Sequence, residues 1–149
     1  MKEITGNIWD FQSNDYIVIP TNGEVNKYGN AVMGKGLAED AKNRFHDLPK
    51  ELAIKIKHYG NRVYIFRDYN LITFPTKWRW RDKSDLELIE ASAQQLDHLR
   101  LALDAWDDDH KLIYLPQVGC GNGKLEWKDV KPILEKHLKG DRFIVVESK

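Results

Sequence analysis

Short runs of consecutive apolar residues, many of them β-branched, restrict the fold of this chain more than any other feature. Tyr16-Ile17-Val18-Ile19, Val63-Tyr64-Ile65-Phe66, Leu112-Ile113-Tyr114-Leu115 and Phe143-Ile144-Val145-Val146 contain no polar alternation. A strand with one wet face alternates with period two, so these runs read as strands buried on both faces. Tyr69 to Phe74 reads as a neighbour of the run that ends at Phe66. Helical spacing fills the intervals: Leu37 to Phe45, Leu48 to Tyr59, Ser84 to Ala105 and Glu126 to Leu138. Doubly buried strands that alternate with helices predict an α/β sandwich around a mostly parallel or mixed sheet.

Local signals refine the helices. Pro49 fits a first helical turn, whereas Pro132 is the weak point of the last helix. Ser84 with Glu87 three residues later predicts a capping box. Leu88, Ala91, Gln95, Leu99 and Leu103 form the stripe of that long helix, and Asp107-Asp108-Asp109 is read as its end.

Size and charge exclude several functions. The 149 residues suit one domain, residues 1–149, and not two ordinary ones. Lys plus Arg equals Asp plus Glu at 23 each, which argues against a globally basic nucleic-acid binder. Cys120 is the only cysteine, so neither an internal disulfide nor a thiolate cluster can form. Met1 to Gly6 has no apolar run of the signal-peptide kind, and no segment reaches the ~18 apolar residues of a membrane span. These features predict a soluble cytoplasmic domain. His46, His58, His98, His110 and His137 lack ligand-type clustering, so no metal is expected.

In open α/β sheets, ligands sit beyond the carboxyl ends of the strands. Two strands here run into glycine-rich segments that enter helices. The first segment is Thr21-Asn22-Gly23 followed by Gly29-Asn30-Ala31-Val32-Met33-Gly34-Lys35-Gly36. Its spacing matches neither the P-loop nor Gly-x-Gly-x-x-Gly, and it reads either as a phosphate cradle or as a plain connection. The second is Pro116-Gln117-Val118-Gly119-Cys120-Gly121-Asn122-Gly123. Glycines let backbone N–H groups wrap a phosphate. Cys120 reads as a small buried residue rather than a nucleophile, since no base or cationic partner is evident. Together the two loops suggest a ligand with a pyrophosphate and two ends.

At these residues the chain resembles the macrodomain superfamily, whose members bind ADP-ribose. Ile19-Pro20-Thr21-Asn22 with Gly29 to Gly36 resembles the family's asparagine and first phosphate loop. Gly119 to Gly123 with Leu125-Glu126-Trp127 resembles the second loop and its helix entry. Within the superfamily, Val32 to Gly36, Phe74-Pro75-Thr76-Lys77 and Gly119-Cys120-Gly121 are similar to the branch that contains the DarG antitoxin macrodomain. The resemblance implies a three-layer α/β/α sandwich with a mixed, mostly parallel central sheet. It also implies a catalytic Lys77 and a place for Asn22 near the distal ribose. Asn7, Ile8, Asn30, Ala31, Val32, Met33, Gly34, Gly36, Gly119, Cys120, Gly121, Asn122 and Gly123 are its remaining ligand-binding positions, with no cofactor beyond ADP-ribose as ligand or product.

Three departures stand out. Asn7 occupies the place where many macrodomains have an aspartate for the adenine amino group, and it accepts a hydrogen bond without charge assistance. Gly123 replaces an aspartate of the terminal ADP-ribose glycohydrolases. The nine residues from Gly23 to Ala31 look longer than in DarG.

Lysine must lose its proton to act as a nucleophile, and burial or nearby cations favour that loss. In Lys77-Trp78-Arg79-Trp80-Arg81, an extended backbone would put three cations on one face and two tryptophans on the other. Mutual repulsion would then favour a neutral Lys77. The bland alternative is an exposed basic edge with its tryptophans packed on the core. The same five residues suit weak nucleic-acid contact. The leading expectation is an ADP-ribosyl glycohydrolase acting on a modified target, nucleic acid among the candidates. A non-catalytic ADP-ribose binding module and an ADP-ribose 1″-phosphate phosphatase remain open, since a fold does not establish catalysis.

Overall fold

The apolar runs become strands of one sheet in the computed structural model, which describes residues 1–106 and 110–149. The strands are β1 (Lys2–Gly6), β2 (Tyr16–Asn22), β3 (Tyr64–Phe66), β4 (Leu71–Lys77), β5 (Ile113–Pro116) and β6 (Phe143–Ser148). The helices are α1 (Gly36–Arg44), α2 (Leu48–Tyr59), α3 (Leu86–Trp106) and α4 (Trp127–His137). The sheet order is β1-β6-β5-β2-β4-β3. Every pairing is parallel except β3 with β4. Among the described residues no helix is long and apolar enough to cross a membrane.

Alternate residues of β2 feed two separate cores. Tyr16 and Val18 join Ile72, Phe74, Leu96, Val130 and Leu134 in the layer that holds α3 and α4. Ile17 and Ile19 join Ala41, Leu48, Leu52 and Leu71 in the layer that holds α1 and α2. The three-layer α/β/α arrangement therefore follows from strands apolar on both faces.

Several local expectations need correction. The fifth apolar stretch is a strand over Leu71–Lys77 and not Tyr69 to Phe74, because Arg67–Tyr69 forms a 3-10 turn ended by Asn70 at φ 53. Pro75 is tolerated because β3 pairs only as far as Thr73, leaving no partner for an N–H there. Ser92 Oγ donates to the Pro75 carbonyl at 2.7 Å. The long helix is capped one residue later than predicted: Asp85 Oδ1, not Ser84, accepts from the N–H groups of Glu87 and Leu88. Its buried face is Leu88, Ile89, Ser92, Ala93, Leu96 and Leu103. Of the predicted stripe, Gln95 instead accepts from the Val63 N–H at 2.9 Å. The reading of Asp107 to Asp109 as the helix end falls outside the described residues.

Candidate functional site

The chain leaves β2 towards β4 on one side and places β5 on the other, so the sheet has its switch point between β2 and β5. Those two strands pair only through Tyr16 and Ile17. Beyond that they diverge, so no β5 residue stands opposite Pro20 and its missing N–H costs no ladder bond. A cleft of about 1550 Å³ opens there, lined by both glycine loops.

The first loop delivers Val32, Met33, Gly34 and Gly36 to the cleft wall. Gly36 has φ +60 and begins α1. The residue before it, Lys35, makes no side-chain capping bond. The first turn of α1 thus lines the cleft with no side-chain acceptor for its N–H groups among the described residues, an arrangement suited to an anion. Asn22 shapes this loop: its Nδ2 donates to the Val32 carbonyl at 2.9 Å and its Oδ1 accepts from the Glu24 N–H at 2.9 Å.

The second loop is set by a turn in which the Cys120 N–H donates to the Gln117 carbonyl at 3.2 Å. Gly119 at the third turn position has φ +80, the requirement of a type II turn. Gly121, Asn122 and Gly123 follow as a 3-10 turn. A Cβ built on Gly36 would lie 3.2 Å from Asn122 Nδ2, so the two loops close on each other. A Cβ built on Gly123 would press on Ser84 Oγ and lie 3.1 Å from Ser84 Cβ. Ser84 Oγ is buried without a hydrogen-bond partner among the described residues.

Lys77 ends β4 beside the carboxyl end of β2. The β2–β4 register shifts between Thr21 and Asn22, so Lys77, in place of Thr76, stands opposite Asn22. Its Nζ donates to the carbonyls of Trp80 at 3.3 Å and Asn122 at 3.4 Å. Partial burial, then Lys35, pushes the Lys77 amine below its ordinary pKa, with a smaller contribution from Lys124, while Asp82 acts in the opposite sense. The extended reading of residues 77–81 is therefore corrected. The chain bends after Lys77, and neither Arg79 nor Arg81 lowers its pKa. The tryptophans are not packed on the core either: Trp78 is 55% and Trp80 47% exposed. Repulsion reaches Lys77 from the ends of the two glycine loops, which sequence spacing along one segment does not reveal.

Asn7 and Ile8 border the cleft at its far end. Asn7 Oδ1 accepts from the Trp9 N–H at 3.0 Å and so caps a 3-10 turn, while Ile8 is buried in the α1/α2 core. Asn30 and Ala31 do not reach the main cleft; they line a separate depression with Asn26, His46 and Pro49. The reason is local. The Ala31 N–H donates to the Pro49 carbonyl at 2.9 Å, which holds this part of the loop against α2, and the Asn30 N–H donates to Asn26 Oδ1 at 3.1 Å within the loop. Cys120 lines the cleft, and burial raises its thiol pKa, consistent with an unreactive residue.

Sequence reasoning missed Trp9 and Arg44, whose guanidinium lies 4.1 Å from the Trp9 ring at the cleft edge. No spacing rule links residues so far apart. It also missed Lys35 and Lys124 as site cations, although their positions inside or next to glycine loops were a readable signal.

No protein-family model matches the chain. A DNA ADP-ribosyl glycohydrolase of Thermus aquaticus is 30% identical over 121 residues, 72% of this chain and 31% of the relative. The chain spans between 30% and 32% of the length of the curated relatives it matches. The macrodomain of Thermus aquaticus DarG superposes with a TM-score of 0.73 at 26% identity, covering 99% of this chain and 97% of that one. Thermosipho africanus DarTG, solved in complex with ADP-ribose, gives 0.77 at 22% identity, covering 99% and 41%. By fold the chain is a macrodomain, and in sequence it is similar to the DarG macrodomains.

Proposed function

We propose that this domain binds ADP-ribose across the cleft and hydrolyses an ADP-ribosyl linkage to DNA, with Lys77 as the nucleophile. The observation that carries the proposal is the juxtaposition of Lys77 with Asn22 where both glycine loops converge. The names of the similar proteins, a DNA ADP-ribosyl glycohydrolase and DarTG with ADP-ribose, support the choice of ligand and target.

In this reading the N-terminus of α1 and the loop from Gly119 to Gly123 hold the pyrophosphate. The adenosine end lies towards Asn7, Ile8 and the Trp9–Arg44 pair. The distal ribose lies towards Asn22 and Lys77. The neutral amine donates its lone pair to the anomeric carbon, and the modified base leaves with the bonding electrons and gains a proton. The ribose ring then opens by cleavage of its C–O bond to an imine on Lys77. Water adds to the imine carbon, and collapse returns the amine and free ADP-ribose. Desolvation and the Lys35 charge favour the neutral nucleophile that this step needs.

The test pairs binding with turnover. Calorimetry with ADP-ribose should give saturable one-to-one binding by the wild type and by Lys77→Ala. Release of ADP-ribose from an ADP-ribosylated single-stranded oligonucleotide should fall by about 10²–10⁴ in the variant. Borohydride should trap an ADP-ribosyl adduct on Lys77 of the wild type. Intact turnover in Lys77→Ala would remove the nucleophile. Binding without turnover in the wild type would leave an ADP-ribose reader.

A further inference from the structure

The cleft accounts for one end of the turn after β4 but not for the rest of it. Trp80 and Arg81 line the cleft, whereas Trp78 and Arg79 do not. Trp78 belongs to a different neighbourhood. Its carbonyl accepts from the Gly23 N–H at 3.2 Å, at the start of the stretch that looks longer than in DarG. The adjoining Lys77 carbonyl accepts from Asn61 Nδ2 at 3.0 Å, just beyond the end of α2. A Cβ on Gly23 would meet Asn61 Cγ at 2.7 Å, so the β4 turn, the long loop and the end of α2 are packed together.

That junction displays large aromatic rings to water. Tyr28 is 77% exposed, Tyr59 71% and Trp78 55%. The loop carrying Tyr28 is rigidly built: Asn26 Oδ1 accepts from the N–H groups of Tyr28 and Asn30, and Val25 bridges to Ala31. Lys57 adjoins the same loop, with its Nζ 3.9 Å from the Cβ position of Gly29. Lys57, Arg79 and Arg81 are exposed and make no ion pair with any described residue. Unpaired cations among exposed rings are the surface chemistry of single-strand recognition, where phosphates meet the cations and bases stack on the rings.

We infer that this junction is a track for single-stranded nucleic acid, holding the nucleotides that flank the modified one while the ADP-ribosyl group occupies the cleft. The inference rests on the glycohydrolase reading for the placement of the modified nucleotide. It goes further in assigning Trp78, Tyr59 and Tyr28 a role in substrate selection that the cleft does not require. Trp78 is the exposed ring next to Lys77 in the chain, where a strand leaving the cleft would begin. The strand is then carried towards Tyr59 and the Tyr28 loop. The neutral overall charge fits a local track in place of general affinity for nucleic acid.

Two measurements separate this inference from the reading beneath it. Fluorescence anisotropy of an unmodified single-stranded 12-mer, with the wild type and with Trp78→Ala/Tyr59→Ala, reads the track without any turnover. We expect affinity to fall about thirtyfold or more in the double variant, as for loss of two stacked bases. The wild-type salt slope should be about −2, as for three neutralised phosphates on a single strand. Calorimetry with ADP-ribose should be unchanged, because neither side chain lines the cleft. Second, kcat/KM is compared for an ADP-ribosylated 12-mer and an ADP-ribosylated mononucleotide. The double variant should lose about thirtyfold or more on the first and nothing on the second. Equal losses on both substrates, unchanged 12-mer affinity, or an equal loss on an ADP-ribosylated protein would overturn the track. Oligonucleotide binding that is lost in the variant, with no wild-type turnover, would support the track while refuting the glycohydrolase.

Discussion

Replacing Gly119 by alanine tests whether the α3 core dictates the shape of the second loop. Two separable costs arise. At φ +80 an L-residue is strained by about 1–2 kcal/mol. The added Cβ would also lie 2.7 Å from Ile89 Cδ1 and 3.1 Å from Leu125 Cδ1. Carbon atoms settle at about 3.5–4.0 Å, so the first contact is about 1 Å too short. Ile89 is fully buried and has nowhere to move, which adds the ~1–3 kcal/mol of an overpacked site. The total is about 2–5 kcal/mol. Gly121→Ala is the control, because Gly121 has φ +65 but nothing within 4 Å of its Cβ position. It should cost only the backbone strain of about 1–2 kcal/mol. Ile89→Val removes the offending Cδ1 at a cost of about 0.5–1.5 kcal/mol. Combined with Gly119→Ala, it should restore about 1–2 kcal/mol relative to the sum of the single variants, part of the overpacking cost. Urea denaturation followed by circular dichroism measures the four variants against the wild type. Equal costs at Gly119 and Gly121, or a cycle additive within ~0.5 kcal/mol, would refute steric control of the loop by Ile89.

Other expectations follow from the cleft. The Lys77 amine is active when neutral and its folded pKa is lowered, so kcat/KM should rise with pH and level off below the ordinary 10.5. The unfolded chain keeps that proton longer, so Lys77 should also make stability rise with pH between its lowered value and 10.5, a slope that Lys77→Met removes in denaturation curves. Asn7→Asp should keep the cap on Trp9 N–H and add a charged acceptor, tightening ADP-ribose binding several-fold by calorimetry; weaker binding would place the adenine elsewhere. Gly123→Asp should be strongly destabilising in thermal melts because the side chain meets Ser84, and adding Ser84→Gly should recover part of the loss.

How far the sequence could be read depended on whether a signal was local. Apolar runs without alternation determined doubly covered strands, because period two is imposed by the strand itself. Glycine clusters after Ile19 and Leu115 marked the two loops that line the cleft, since only glycine freely adopts the positive φ seen at Gly36 and Gly119. The proline at position 75 hid the end of β4 from Pro75 to Lys77, because a missing N–H disfavours a strand unless its neighbour has already ended.

Tertiary structure alone decided the rest. The register shift that sets Lys77 against Asn22 depends on how two strands meet, and neither strand encodes it separately. The charges bearing on Lys77 come from Lys35 and Lys124, far along the chain, and not from Arg79 and Arg81 beside it. Trp9 met Arg44, and Trp78 met Gly23, only when the sheet order brought their segments together. The sequence by itself determined which segments are buried and where backbone can wrap a ligand, because both are properties of a few adjacent residues. Folding decided which side chains share the cleft, because Coulomb interaction and packing depend on distance in space, not on separation along the chain.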